Sequence, residues 1–474
     1  MKLDLIATRT DRVLIDAFGA DVFVIGGPVR DKLRSLFHGI PYAPKDHDYV
    51  VVGHTLAEVR ERLGRMGRLD AVGASFGVLK LTLPDEPTVD VALPRRERST
   101  GPGHRDFEVE SGPMIGIEED QARRDFLMNA VAVRLLTGEV IAHPGALDDI
   151  RDKRISVING RQSFLDDPLR MLRAAQFAAR FAFEIAPETR TLMREGAGLI
   201  RSVAPERISE ELNKMFTRSA RPSDGVRILH DTDLLPLVIP GLERGAGVEQ
   251  NRYHAYDVLE HGLATLDASR ASLESRWAAI LHDIGKPATR SPHKSGSGYT
   301  FYNHEHVGAE MAQQILRGLR FPNSFTATVT RLVANHMYVA DPDMAEPAIK
   351  RFINRVGPDL LEAQFELRRA DKIGSGIERD DSLARNARFE ARVHDIMARQ
   401  PPLGLKDLAV DGRDVITALV ESGLKPAGYR QGREIGHVLG LLREQVIERP
   451  ELNTRDALAA AIHAIIAEMK RSAV

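Results

Sequence analysis

The apolar residues change their period near residue 163, and that change sets two kinds of architecture in series along the chain. Before it, "DVFVIGG", "YVVVG", "FGVLKLTL" and "TVDVAL" are short apolar runs bounded by Gly, Pro and Asp, as strands are, and "TLAEVRERLGRMG" has helical spacing. After it, segments such as "DPLRMLRAAQFAARF" and "ERISEELNKMF" place apolar residues at three- and four-residue steps almost throughout. The pattern predicts an α+β head followed by all-α modules. Breaks at "RPSDG", "IPGLERGAG", "SPHKSGSG" and "RQPPLG" are candidate joints, and no internal repeat or low-complexity tract is visible.

At 474 residues the chain exceeds one core, and a prior of about 150 residues per domain suggests roughly three. It has no cysteine, which excludes disulfides and thiolate metal sites and suits a reducing, cytoplasmic compartment. The first residues, "MKLDLIATRTDR", lack the apolar core of a signal peptide. No apolar run approaches the ~18 residues of a membrane helix, so no membrane partner is expected. Net charge is only −2, so a nucleic-acid surface must be a local basic patch.

In "KDHDYVVVG", Asp46 and Asp48 stand two apart at the mouth of a strand, where alternation points both the same way and His47 the other. Two carboxylates about 7 Å apart on one strand face can grip divalent cations. Alone, such a pair is more often a solvated turn entry, by roughly two to one. Upstream, "VIGGPVRD" runs a strand into Gly26 and Gly27, with Pro28 at the start of a helix and Arg30 adding a fixed charge. Glycines admit a phosphate close to the backbone, and a helix N-terminus offers it free N–H groups. Asp90 in "VDVAL" is a candidate third carboxylate, or a plain strand-end charge. In "RRDFLMNAVAV", Arg123 and Arg124 can hold a triphosphate, while Asp125 can bond a ribose hydroxyl or fix an arginine. A helix beginning at Asp166 would carry Asp167, Arg170 and Arg173 on one face, polar on an otherwise apolar helix and so suited to lining a cleft.

Taken in order and spacing, GG-x-VRD, D-x-D, RRDF-x-x-NA (with Asn129) and the acidic-D-x-x-R-x-x-R helix resemble the class II tRNA nucleotidyltransferase and bacterial poly(A) polymerase family. "SFGVLKL", "ERISEELNKMF" and the tail segments "DLAVDGRDVITALVESGLKP" and "RPELNTRDAL" extend the resemblance over nearly the whole chain. It implies a mixed-sheet nucleotidyltransferase head at 1–160, a neck and body for base recognition and RNA binding at 161–250, and template-independent addition of nucleotides to an RNA 3′ end. It also implies Mg²⁺ on Asp46 and Asp48, and base reading by Asp167 and Arg170. Asp accepts from an exocyclic amino group and Arg donates to ring acceptors, a pair that suits C and A. The sequence departs from the family at His47 (usually apolar), Asp166 (commonly Glu), Leu127 (commonly Thr), Pro28 (a small residue) and "KPAGYRQGREIG", without losing a catalytic group.

Seven of the 16 histidines crowd between 254 and 336. His261, then His282–Asp283 in "LHDIGKP", then Asp371 in "RADKIG" give the order H…HD…D, expected on helices, which resembles the HD metal-dependent phosphohydrolase superfamily. His304 (preferred over His306) and His336 would complete a second metal position, with Lys286 near the phosphate and His254, seven residues before His261 on a similar helical face, behind them. This ligand mix suits Ni²⁺, Mn²⁺, Co²⁺, Fe²⁺ or Zn²⁺ over Mg²⁺, with a metal-activated water as nucleophile. The HD domain would span 251–375, and a helical tail for tRNA contact 376–474.

The expected activity is CCA addition to the tRNA 3′ end from CTP and ATP, with no protein partner evident. "PRRERSTGPGHRDFEV" looks like the flexible loop of members that add A. The rival readings are a poly(A) polymerase or partial CC- or A-adding enzyme, an HD phosphohydrolase with an RNA-binding head, and a non-catalytic tRNA-binding protein.

Overall fold

A computed structural model describes residues 1–42, 48–72, 77–99, 107–251, 253–294, 298–377 and 380–472. The chain forms two compact units: Met1–Arg244 with Ile315–Phe321, and Gly245–Gln314 with Pro322–Val474.

In the first unit the strands are β1 (Val22–Ile25), β2 (Asp48–Val51), β3 (Arg68–Val72), β4 (Val78–Thr82), β5 (Val89–Ala92), β6 (Arg95–Ser99), β7 (Phe107–Ser111), β8 (Val131–Arg134), β9 (Val140–Ala142) and the short parallel pair β10 (Arg154–Ile155) and β11 (Glu184–Ile185). Seven of them make one sheet in the order β3-β4-β5-β2-β1-β8-β9. The β2–β5 pair is parallel and the other neighbours are antiparallel, so the sheet is mixed. All four residues of β1 are buried, which is why this strand reads as continuous apolar sequence rather than as an alternation. β6 and β7 pair separately as a ribbon at the two ends of "RRERSTGPGHRDFEV"; residues 100–106 between them lie outside the described residues.

Helices complete this unit, and their breaks matter to the site. The helix expected to begin at Asp166 is two: Arg161–Asp166 and Arg170–Phe181. Asp167 is extended (φ −142°, ψ 97°) because the next residue is Pro168, which disfavours helical backbone before it and has no N–H to donate. Asp167 therefore enters from a kink, not from the helix face that carries Arg170 and Arg173. The Arg170–Phe181 helix buries Met171, Leu172, Ala174, Ala175 and Ala178, and packs on the helices Pro205–Arg218 and Pro222–Asp231.

The second unit is almost all helix. Val258–Ala268, Leu273–Leu281, Asn323–Ala334 and Leu361–Gly374 pack together, with Trp277, Leu263, Leu266 and Phe365 fully buried. Gly412–Glu421, Arg433–Glu448 and Arg455–Ser472 form a separate apolar cluster on Val415, Leu419, Val438, Leu442 and Ile462. Among the described residues no helix is long and apolar enough to cross a membrane.

Candidate active sites

In the head, strand register gathers the acids. Asp48 opens β2 with Ile25 of β1 opposite on one side and Asp90 of β5 on the other. Asp90 also meets the Lys80 ammonium at 3.2 Å. Asp46 and His47 lie outside the described residues. One residue past Ile25, Gly26 turns the chain at φ +69°, ψ −125°, a conformation that L side chains rarely adopt. A Cβ there would also come within 2.9 Å of Arg124 Nη1. The Gly27–His38 helix follows, with Pro28 in its first turn. Carboxylates and free helix N–H groups thus meet at one end of the sheet.

Arg30 corrects the sequence reading. It is buried and turns inward, donating from Nη1 to Asn129 Oδ1 at 2.7 Å, so it is no free charge at the turn. Asn129 Nδ2 donates in turn to Asp125 Oδ1 at 2.8 Å. Asp125 Oδ2 accepts from Nε and Nη2 of Arg173 at 2.9 and 2.7 Å. A polar chain therefore links the Gly27–His38 helix to the Arg170–Phe181 helix. Burial pushes the Asp125 pKa up, but Arg173 and Asn129 outweigh it and hold the carboxyl below its ordinary range.

Arg123 and Arg124 are held from below by Asp120, which accepts from Arg123 Nε and Nη2 at 2.9 and 2.8 Å and from Arg124 Nη2 at 3.0 Å. Burial opposes ionisation of Asp120, and the two guanidiniums overcome it. With Asp125, Asp167, Arg170 and Arg173 they line a cavity of about 410 Å³. Arg170 donates to Ser163 Oγ at 2.6 Å and to the Arg123 carbonyl at 3.0 Å. The kinked Asp167 is gripped at Oδ2 by Arg207 Nη2, 3.0 Å away, from the Pro205–Arg218 helix. Sequence reasoning missed Asp120 and Arg207. The first was findable, since Asp120 precedes Arg123 and Arg124 by three and four positions on a helical pattern. Arg207 carried no local signal.

In the second unit the histidines converge on Asp283. Its Oδ2 lies 3.3 Å from His261 Nε2 and 3.2 Å from His282 Nε2; its Oδ1 lies 3.3 Å from His304 Nε2 and 3.5 Å from His336 Nε2. Ligand atoms of His261, His282 and Asp283, and of Asp283, His304 and His336, form two trios, each within 4.8 Å. Asp371 Oδ1 joins the first at 3.2 Å from His261. His261 and Asp371 are within helices and His304 begins one, but His282 and Asp283 follow the Leu273–Leu281 helix and His336 follows Asn323–Ala334. The expectation that every ligand sits on a helix is corrected: close turns bring three of them in. Gly285 makes one turn possible, because a Cβ there would lie 2.2 Å from the His304 carbonyl. His306 is exposed and outside the cluster. His254 sits in a loop rather than on the His261 helix, with its ring 4.5 Å from that of His261. Burial, then the Lys286 charge, push its pKa down to about 3.

The tautomers test whether a cation fits. Nδ1 of His261, His282, His304 and His336 each faces a backbone carbonyl, at 3.1, 2.8, 2.6 and 2.8 Å. A carbonyl only accepts, so each Nδ1 carries a proton, and Nε2 is the atom that would present a lone pair to a cation. Those Nε2 atoms meet in twos, His261 to His282 and His304 to His336, both at 3.1 Å, beside the carboxylate of Asp283. Converging acceptors of this kind fit divalent cations, with the carbonyls as the outer partners metal-bound histidines take. Burial disfavours a charged His261, yet Asp283 and Asp371 outweigh that and raise its pKa to about 9, so the same two carboxylates favour positive charge at this point of the site. Lys286 Nζ is 2.5 Å from Asp283 and donates to Gln250 Oε1 at 2.7 Å. A cavity of about 840 Å³ opens here, lined by Lys286, Arg368 and Asp371 and by Tyr253 and Tyr302. Gln250 and Arg368 were absent from the sequence reading.

Comparison with known proteins follows this division. Residues 22–156 match the family described as "Poly A polymerase head domain", 182–245 "Probable RNA and SrmB- binding site of polymerase A", and 253–374 "HD domain". The multifunctional CCA protein of Azoarcus sp. (strain BH72) is 34% identical over 78% of this chain and 87% of its own length. That of Xanthomonas campestris pv. campestris (strain B100) is 31% identical over 82% and 93%. The crystal structure of the Bacillus stearothermophilus CCA-adding enzyme in complex with CTP matches with a TM-score of 0.66 at 19% identity, covering 98% of this chain and all of that one, a likeness of fold. The class is a polymerase-type nucleotidyltransferase head joined through helices to an HD domain. The chain belongs to the class II tRNA nucleotidyltransferase and bacterial poly(A) polymerase family, among the members that carry an HD domain.

Proposed function

We propose that this chain builds or repairs the 3′-CCA end of tRNA from CTP and ATP, and that its HD domain is a separate metal-dependent phosphohydrolase. The observation that carries the first part is the register that sets Asp48 between Asp90 and the strand ending at the Gly26 turn. Asp46 and Asp48 would hold Mg²⁺, which when bound activates the RNA 3′-hydroxyl and neutralises charge on the pyrophosphate leaving group. The chain's own groups do the rest. The free N–H groups at the start of the Gly27–His38 helix and the Arg124 guanidinium receive triphosphate oxygens. Asp167 accepts from the exocyclic amino group of C or A and Arg170 donates to a ring acceptor. Arg207 fixes the Asp167 carboxylate, and the Arg30–Asn129–Asp125–Arg173 chain holds the base reader to the head.

In the HD domain, His261, His282 and Asp283, with Asp371, would hold one transition metal; Asp283, His304 and His336 would hold a second. Such a metal supplies Lewis acidity and an activated water. Lys286 and Arg368 line the cavity as cations for the phosphate. The lack of cysteine suits a cytoplasmic setting.

The test is incubation with tRNA lacking its 3′ end and each labelled nucleotide, resolved to single additions. C, C and then A is the expected ladder. A long A tract indicates a poly(A) polymerase, a halt after two C additions a CC-adding enzyme, and no extension overturns the reading.

A further inference from the structure

Away from the base-reading cavity, three guanidiniums converge on one ring. Arg30, Arg34 and Arg180 lie 4.5, 3.9 and 4.9 Å from the centroid of Phe181. Arg30 and Arg34 stand one turn apart on the Gly27–His38 helix, and Arg180 is near the end of Arg170–Phe181. Arg218, exposed at the end of Pro205–Arg218, adds its charge to the same field. Among the described residues one carboxylate stands in ion-pair reach of these cations: Asp31, 3.0 Å from Arg30 and 3.4 Å from Arg34.

Arg180 and Arg218 take no carboxylate within ion-pair distance among the described residues; the acid acting on Arg180 is again Asp31, more weakly than Arg30. Arg34 Nε is buried with no acceptor. Burial, with Arg30 beside each, pulls Arg34 and Arg180 below the usual arginine value. The face of Phe181 offsets part of the repulsion, since the ring quadrupole attracts a cation held over it. It cannot neutralise the charge. Clustered, under-paired guanidiniums are built to receive phosphate oxygens.

We infer that Arg34 and Arg180 form a phosphate-binding site, separate from the base-reading cavity, that takes a backbone phosphate of the RNA substrate. The RNA assignment rests on the tRNA reading above. Position favours RNA over the nucleotide's triphosphate. Arg180 lies seven residues beyond Arg173, about 10 Å along the helix axis from the cavity. Arg34 lies as many residues beyond Gly27, away from the turn suited to a triphosphate.

The experiment measures binding of tRNA lacking CCA by the full-length protein across a salt series. It compares wild type with Arg180→Gln, Arg34→Gln and the charge-keeping Arg180→Lys, with CTP affinity and thermal unfolding in parallel. Each glutamine variant should weaken tRNA binding about three- to tenfold and lower the slope of log K against log salt by about one. Arg180→Lys should keep most of that slope, CTP affinity should not move, and the melting temperature should not fall. Unchanged tRNA affinity and slope would overturn the proposal. Lost CTP affinity with intact tRNA binding would instead give the site to the nucleotide. A lower melting temperature with intact RNA binding would make the cluster packing alone. If Arg180→Gln does not fold, Arg34→Gln decides. A wild-type protein that neither binds nor extends tRNA defeats the functional reading itself, and the RNA assignment with it.

Discussion

Asp48 and Asp90 stand at one end of two interior strands of the head's sheet with much of their surface in solvent, whereas Asp283 and the four imidazoles around it are almost wholly buried. In the head, hard oxygens alone face a helix N-terminus, and substrate phosphates must complete the coordination of any cation held there. In the HD domain, Asp283 already bridges two pairs of nitrogens, each fixed by a backbone carbonyl. The difference teaches how the two chemistries divide. On the proposed function, the head site would be completed by its substrate's phosphates, whereas the side chains of the other are already gathered around Asp283.

Asp48→Asn should break the head side of this contrast with the largest effect, lowering nucleotide addition about a thousandfold while HD hydrolysis stays intact. Single-turnover extension assays check it, and near-normal addition would remove Asp48 from the mechanism. Asp125→Ala tests whether the head is braced rather than merely assembled. It strands Arg173, and removing one partner of such a pair costs about 3 kcal/mol, the low end because Arg173 is 34% exposed. Urea unfolding of the first transition reads that loss.

Asp283→Asn attacks the preformed site at its shared ligand. Hydrolysis should vanish, and so should the stabilisation that added transition metal gives the wild type, about 2.7 kcal/mol at a hundredfold excess over Kd. Thermal melts with and without metal report it, and a variant still stabilised by metal would mean that Asp283 is no ligand. The smallest effect is expected from Arg170→Ala, which should lose about tenfold in discrimination among nucleotides while triphosphate binding is largely kept. Competition between CTP and UTP measures this, and unchanged preference would place base choice elsewhere.

Local spacing made much of this legible. Asp48, Asp90 and the Gly26–Gly27 turn read from strand ends, and His282–Asp283 with its flanking histidines read from composition and order. What stayed hidden depended on distant or shape-dependent pairing. Arg207 meets Asp167 across 40 residues and Arg173 meets Asp125 across 48, and no periodicity encodes either. Arg30 looked like a phosphate charge because a motif gives position but not rotamer. Pro168 was visible in the sequence, and its power to break the helix at Asp167 was overlooked beside the helical pattern on either side.

Chelation followed by selective metal return, with both activities followed in one sample, tests the independence of the two sites most directly. After removal of all divalent ions, Mg²⁺ should restore CCA addition and leave hydrolysis off, and Ni²⁺, Mn²⁺ or Co²⁺ should restore hydrolysis. The His282→Ala, Asp283→Ala double variant should regain only addition. Loss of Mg²⁺-restored addition in that folded double variant would contradict the account, because the histidine cluster would then belong to nucleotide transfer itself.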